Sequence, residues 1–169
     1  IAPGIKILPV DFPESSEWYP DHFITGLAYL TELRKEYNLD RKKGAFIVAI
    51  NMSFGVDIET FKSGFLKKGV KEDDINSIIE HMFTDPINHA GEAGILSVAT
   101  MDNNSSTAKM DHGDRVSYLP ACLCRETQTD EPINEPKSSP YIMSVIDIST
   151  SYDKNGKVSD TNQLTDGTI

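Results

Sequence analysis

Long apolar runs are missing from this sequence. Nowhere in its 169 residues does a stretch approach the ~20 consecutive apolar positions that a membrane-spanning helix needs. Basic residues are outnumbered: 16 Lys and Arg stand against 26 Asp and Glu, for a net charge of −10 and a pI near 4.8. A surface of that sign repels phosphates, which argues against nucleic acid and anionic membrane surfaces as partners. Cysteine is confined to Cys122 and Cys124, spaced C-x-C. A disulfide across one intervening residue is strained and two thiols cannot close a zinc site, so they read as two loop thiols rather than a redox or metal centre. An initiator Met and a signal-peptide pattern are also lacking. The chain opens Ile1-Ala2-Pro3-Gly4 and reads as a fragment or a processed piece.

What is present is an ordinary share of hydrophobic residues, 38%, which is enough to form a globular core and too much for disorder. Residues 5–10 (IKILPV) read as a short strand whose Pro9 marks an end or an edge. Phe23, Leu27, Leu30, Leu33 and Tyr37 recur at helical spacing and predict a helix over 21–37 with one buried stripe. Asn38 and the basic run before Gly44 close it. Residues 45–50 (AFIVAI) are continuously apolar and too short for a helix, as expected of a strand buried on both faces of a parallel sheet. A short helical turn is expected around 61–66. Asp73 or Asp74 can cap a further helix carrying Ile75, Ile78, Ile79, Met82 and Phe83. At Thr84-Asp85-Pro86 that helix is expected to kink or restart, and Gly94 stops it.

Residues 95–100 (ILSVAT) form another buried-strand run, and strand character returns at 141–148. Between them, residues 101–140 are rich in Asn, Ser, Asp, Pro and Thr and read as a long loop or insertion. Asp153-Lys154-Asn155-Gly156 is a turn signal. The alternation of strands and helices predicts an α/β fold, a single segment with a doubly wound, mostly parallel sheet. In such sheets ligands bind beyond the carboxyl ends of the strands, which directs attention to residues 51–55 and 101–104.

Four segments carry a resemblance. Asn51-Met52-Ser53-Phe54-Gly55 after an apolar strand is similar to the "INMSLG" segment of subtilisin-like serine proteases. Residues 93–103 (AGILSVATMDN) are similar to their "SGVVVVAAAGN", residues 1–10 to their "VAPxAxLxxVKV", and Pro140-Tyr141-Ile142-Met143-Ser144-Val145 to "YPSVIAVGA". The four occur in the family's order and at about its spacing. The resemblance implies a subtilisin-like fold, here incomplete, and a peptide or protein substrate held in a groove. Ser53, Phe54 and Gly55 would be a backbone rail beside which the substrate lies as an added strand. Asn103 would be the oxyanion residue whose amide donates to the tetrahedral intermediate, with Asn104 in that place if the register slips by one. Thr100, Met101 and Asp102 stand where the family has two small Ala residues and a Gly bordering the primary specificity pocket. A carboxylate there either attracts a basic substrate residue or weakens an oxyanion hole.

The catalytic triad is absent from the matched segments. None of His22, His81, His89 and His112 lies in an "HGTH" context, and no "GTSMA" follows. These histidines read as structural or solvent-facing, Asp111-His112-Gly113-Asp114 included. As it stands the chain cannot run Ser-His-Asp chemistry and depends on the rest of the protease domain. The resemblance also implies a secreted or cell-surface location. Calcium is implied by the family alone, since no acidic loop here has a ligand spacing, and no other cofactor is indicated. Two other functions compete: a degenerate homologue that binds peptides without cleaving them, and an unrelated flavodoxin-like binding domain. The latter lacks the glycine-rich phosphate loop or clustered acids of such folds.

Overall fold

A computed structural model describes residues 4–11, 20–100, 118–124 and 136–145. Helix α1 (Pro20–Leu39) is followed by strand β1 (Ala49–Met52), strand β2 (Val56–Asp57), α2 (Ile58–Leu66) and α3 (Glu72–Ile79). A π-helical turn (Glu80–Thr84) leads directly into α4 (Asp85–Glu92), then β3 (Leu96–Thr100), β4 (Tyr118–Leu119), a 3-10 turn (Ala121–Cys124) and β5 (Ile142–Val145). The main sheet has the order β1-β3-β5, parallel throughout, while β2 and β4 form a separate antiparallel pair. The fold is therefore mixed α/β around a small parallel sheet.

Phe23, Leu27 and Leu30 of the expected α1 stripe are buried, and Leu33 and Tyr37 are half-buried. Arg34 and Asn38, one turn apart on α1, both donate to the carbonyl of Ala93, at 3.1 and 3.0 Å. They satisfy one of the carbonyls that a helix C-terminus leaves without an intrahelical partner, and so fasten α1 to α4. No basic residue lies in the last turn of α1; the Arg41-Lys42-Lys43 run falls beyond it and does not serve its dipole as expected.

Ile75, Ile79, Phe83 and Ile87 are all fully buried at four-residue intervals. On an ideal helix that interval overshoots the 3.6-residue turn and the stripe would drift round the axis. The wider π turn sits in the middle of the run and takes up the drift, with Asp85 N–H bonding to the Glu80 carbonyl. It also delivers the chain to Pro86, which has no N–H to contribute. The restart expected at Thr84 is thus a change of helical pitch. Thr84 has helical dihedrals and caps nothing; its hydroxyl donates to the Lys137 carbonyl at 3.0 Å. The cap expected from Asp73 or Asp74 is also corrected. Lys71 holds the N-cap position without a side-chain bond, and the two acids lie in the first turn, where they favour the helix dipole.

Gly94 ends α4 as expected. Its φ of 92° lets Ile95 N–H reach the Ala90 carbonyl at 3.0 Å and Gly94 N–H reach Gly91 at 2.8 Å, a Schellman closure that turns the chain straight into β3.

Two strand expectations are overturned. Residues 5–10 form no strand: Ile5, Ile7, Leu8 and Val10 are exposed, and the run pairs with no strand among the described residues. Apolar β-prone residues give a strand only where a ladder can receive them. The 45–50 run becomes a strand only from Ala49, and it is not buried on both faces. Ala45 N–H is held by the Leu33 carbonyl, and the exposed Phe46 ring lies under the Arg34 guanidinium and against Tyr37. Among the described residues β1 is an edge strand, with no strand on its outer side. Among the described residues the core lies on one face of the sheet, under Met52, Ser97, Ala99, Ile142 and Ser144. The other face, with Leu96, Val98, Met143 and Val145, is exposed or half-exposed.

The expected long loop is only partly loop. Leu119, Pro120, Ala121 and Leu123 are buried, and three of them join the main core cluster. Pro136 to Ser139 are strapped to the π turn. Glu80 accepts from the Lys137 N–H and pairs with its ammonium at 2.9 Å, Thr84 holds the Lys137 carbonyl, and Ser139 Oγ donates to Asn88 at 2.6 Å.

Candidate functional site

The parallel register fixes one end of the molecule as the place to look. Met52 stands beside Ala99, and Thr100 beside Val145. The chain therefore leaves β1 at Ser53 and β3 at Thr100 from the same carboxyl edge, one strand apart. Of the residues singled out in the sequence, Ser53 and Thr100 stand at that edge, with Phe54 and Gly55 following Ser53. Met101, Asp102, Asn103 and Asn104 follow Thr100 and lie outside the described residues, as do His112, the 153–156 turn and residues 146–148.

The three residues expected to form a rail, Ser53, Phe54 and Gly55, have different surroundings. Ser53 is exposed, and its Oγ accepts from Asn51 Nδ2 at 2.8 Å. Phe54 turns its side chain inward, edge-on to Phe23 with ring centroids 5.9 Å apart. Packing of that ring anchors the segment. Gly55 lies under the chain itself: a Cβ there would run into the Tyr118 ring and the Leu119 carbonyl. Just beyond, Asp57 caps α2 by accepting from Thr60 N–H at 2.8 Å, which fixes where that helix starts.

Tyr118 and Leu119 were not legible as part of this site. Two apolar residues ahead of a proline, inside a polar stretch, fall below the length at which periodicity identifies a strand. Their partner β2 is equally short.

The cysteines flank this region without offering chemistry. Both thiols are free and half-buried in the 3-10 turn. Burial pushes the Cys122 thiol up to about 12, with the neighbouring Cys124 adding to the shift. A thiol so held stays protonated at neutral pH and is a poor nucleophile. Ser144 Oγ lies 2.8 Å from Cys124 Sγ and donates to the Ala121 carbonyl at 2.6 Å, tying the turn to β5. The described histidines lie on helices: His22 half-buried on α1, His81 exposed and 2.8 Å from Asp85, His89 exposed on α4. Among the described residues no group of three or more His, Cys, Asp or Glu side chains is placed to hold a metal ion, and no helix is long and apolar enough to cross a membrane.

No family model, curated protein or solved structure matches this chain.

Proposed function

We propose that this chain is the central part of a subtilisin-like serine endopeptidase domain, whose complete sheet is doubly wound. It contributes the rail at Ser53, Phe54 and Gly55, the strand end at Thr100, Met101 and Asp102, and the oxyanion residue Asn103. The Asp, His and Ser of the triad belong to flanking sequence. One observation carries the reading: β1 and β3, the strands that precede the two peptide-contacting segments, are parallel neighbours whose carboxyl ends lie side by side.

On this reading an extended peptide or protein substrate lies along the rail and places its scissile carbonyl near Asn103. The serine attacks that carbonyl while the histidine takes its proton, and the Asn103 amide donates to the oxyanion as charge develops. The acyl-enzyme is then released by water. A bond that strengthens only in the transition state acts on kcat rather than KM. In the complete protein, Asn103→Leu is therefore expected to lower kcat by roughly 10²–10³, the loss known for the corresponding donor of subtilisin, with KM little changed. An equal fall in affinity and turnover, or none in either, would count against the assignment.

Asp102 favours a second reading, a peptide-binding homologue that does not cleave. A carboxylate beside the oxyanion position repels the charge that must form there. The flanking gene sequence separates the two. "HGTH" upstream with "GTSMA" downstream, and labelling of the complete protein by a serine-directed fluorophosphonate, support the protease. Peptide binding without either supports the homologue.

A further inference from the structure

We propose that the loop after helix α1 is a docking surface for a short acidic segment of a partner protein. Arg41, Lys42 and Lys43 are three consecutive exposed cations in a chain whose net charge is −10. The fold makes no use of them: they lie beyond the last turn of α1, and among the described residues none of the three forms an ion pair. Asp40, the acid beside them, turns its carboxylate to the Lys42 N–H at 3.1 Å. A run of cations that served only as solvated cover would need no fixed shape, yet this one is held rigidly. Lys43 N–H bonds to the Asp40 carbonyl at 2.8 Å and Ala45 N–H to the Leu33 carbonyl at 2.9 Å. Between them Gly44, with φ at 62°, lies so close to α1 that a Cβ would run into the Leu33 carbonyl and the Tyr37 N–H. The backbone carrying the three charges is therefore set before any partner arrives, which lowers the ordering cost of binding.

The chemistry of the loop states what it fits. Leu39, the last residue of α1, is 90% exposed and stands directly ahead of the cations. Residues 39–43 thus offer one apolar side chain and three positive charges. An acidic segment answers both: its carboxylates pair with the Arg41 guanidinium in bidentate fashion and with the two ammonium groups as point charges, and an apolar neighbour lies on Leu39. A nucleic acid or an anionic membrane fits less well. Each spreads phosphates over an area far larger than one loop, and so meets the negative remainder of the chain. A short acidic segment meets the loop alone, because screening confines the repulsion from other charges to about 8 Å at physiological salt.

The test immobilises the chain on a biosensor surface and passes over it a synthetic peptide with a run of Asp and Glu beside a Leu. The same peptide with Asn and Gln in place of the acids serves as the neutral probe, and a single-stranded oligonucleotide as the phosphate probe. The acidic peptide should bind, more weakly as salt rises, and at least about tenfold more tightly than the neutral one, which three exposed ion pairs of ordinary strength supply. Reversing the loop charges together (Arg41→Glu, Lys42→Glu, Lys43→Glu) should abolish binding with Tm unchanged, and Leu39→Ser should weaken it. Neutral Gln at the same three positions replaces the reversal if that variant fails to fold. Reversing the exposed Lys67, Lys68 and Lys71 instead changes the net charge equally and should leave binding intact. No binding, equal binding of the acidic and neutral peptides, or equal loss from the two triple reversals overturns the proposal. So does an oligonucleotide that binds the same three residues more tightly than the acidic peptide. None of these outcomes touches the protease reading, which the flanking sequence decides.

Discussion

At the scale of single residues, the clearest physical consequence concerns Cys122. Its thiol is held protonated up to about 12, against an ordinary value of 9.0, chiefly because burial penalises the thiolate. Between those two pH values the unfolded chain has released this proton and the folded chain has kept it. The folded state then binds the additional proton, so its stability falls as pH rises from about 9 toward 12. Cys122→Ala removes that contribution. The urea midpoint of wild type should drop more steeply between pH 8 and pH 10.5 than that of the variant, and iodoacetamide at pH 8 should modify Cys122 slowly until the chain is unfolded. Parallel midpoints in the two proteins would show that burial does not govern the thiol. Nothing in the residues around Cys122 hints at this. They read as a C-x-C pair in a polar stretch, whereas the burial arises because Leu119, Ala121 and Leu123, on either side of the thiols, plug the core.

Elements divide by how local their causes are. Helix α1 was legible because its apolar spacing and its length are both encoded within 20 residues, and α4 ends at Gly94 because a left-handed dihedral selects glycine wherever it occurs. Strands were legible only where a partner exists. The 5–10 and 95–100 runs look alike in composition, yet only the second lies between two other strands. The π turn was missed for another reason: a four-residue apolar interval is compatible with a plain helix over one turn, and the drift that calls for a pitch change accumulates only over several. At the candidate site the same division holds. Residues 53–55 were singled out through a motif, while the ring covering Gly55 comes from a two-residue strand more than sixty positions away. Gly94 offers the test at this scale. With φ at 92° and the Arg34 Nη2 atom 3.1 Å from where a Cβ would stand, Gly94→Ala both strains the backbone and presses on the side chain that ties α1 to α4. A loss of about 1–2 kcal/mol is expected, readable as a fall of roughly 3–6 °C in Tm. A variant as stable as wild type would mean that the Schellman closure relaxes at no cost.

For the molecule as a whole, the informative feature is what its core leaves uncovered. Helices and the 118–124 segment bury one face of the parallel sheet, while the opposite face presents Leu96 and Val145, 39% and 47% exposed. Next to it, the outer edge of β1 has no strand beside it among the described residues, and Phe46 and Val48 near that edge are 60% and 53% exposed. Ile5 and Ile7 are more exposed still, at 70% and 89%. Among the described residues one face of the parallel sheet is thus bare, which is unusual, because the crossovers that make strands parallel ordinarily place helices on both sides. An open edge with apolar surroundings is also a template for pairing with other chains. On the proposed reading this surface is where the rest of the protease domain packs, and the same missing part holds the nucleophile and the base. Two outcomes therefore go together for the 169-residue chain on its own: it binds a hydrophobic dye such as ANS and self-associates at micromolar concentration, and it turns over no peptide. The complete protein should lose the dye binding and acquire the activity, since one body of sequence supplies both the cover and the triad. Dye fluorescence, sedimentation and peptide hydrolysis measured on the two forms check this directly. An isolated chain that is monomeric and dark to the dye would show that its bare face needs no partner. Activity that tracks the isolated chain through purification would place the catalytic groups within it and overturn the division of labour proposed here.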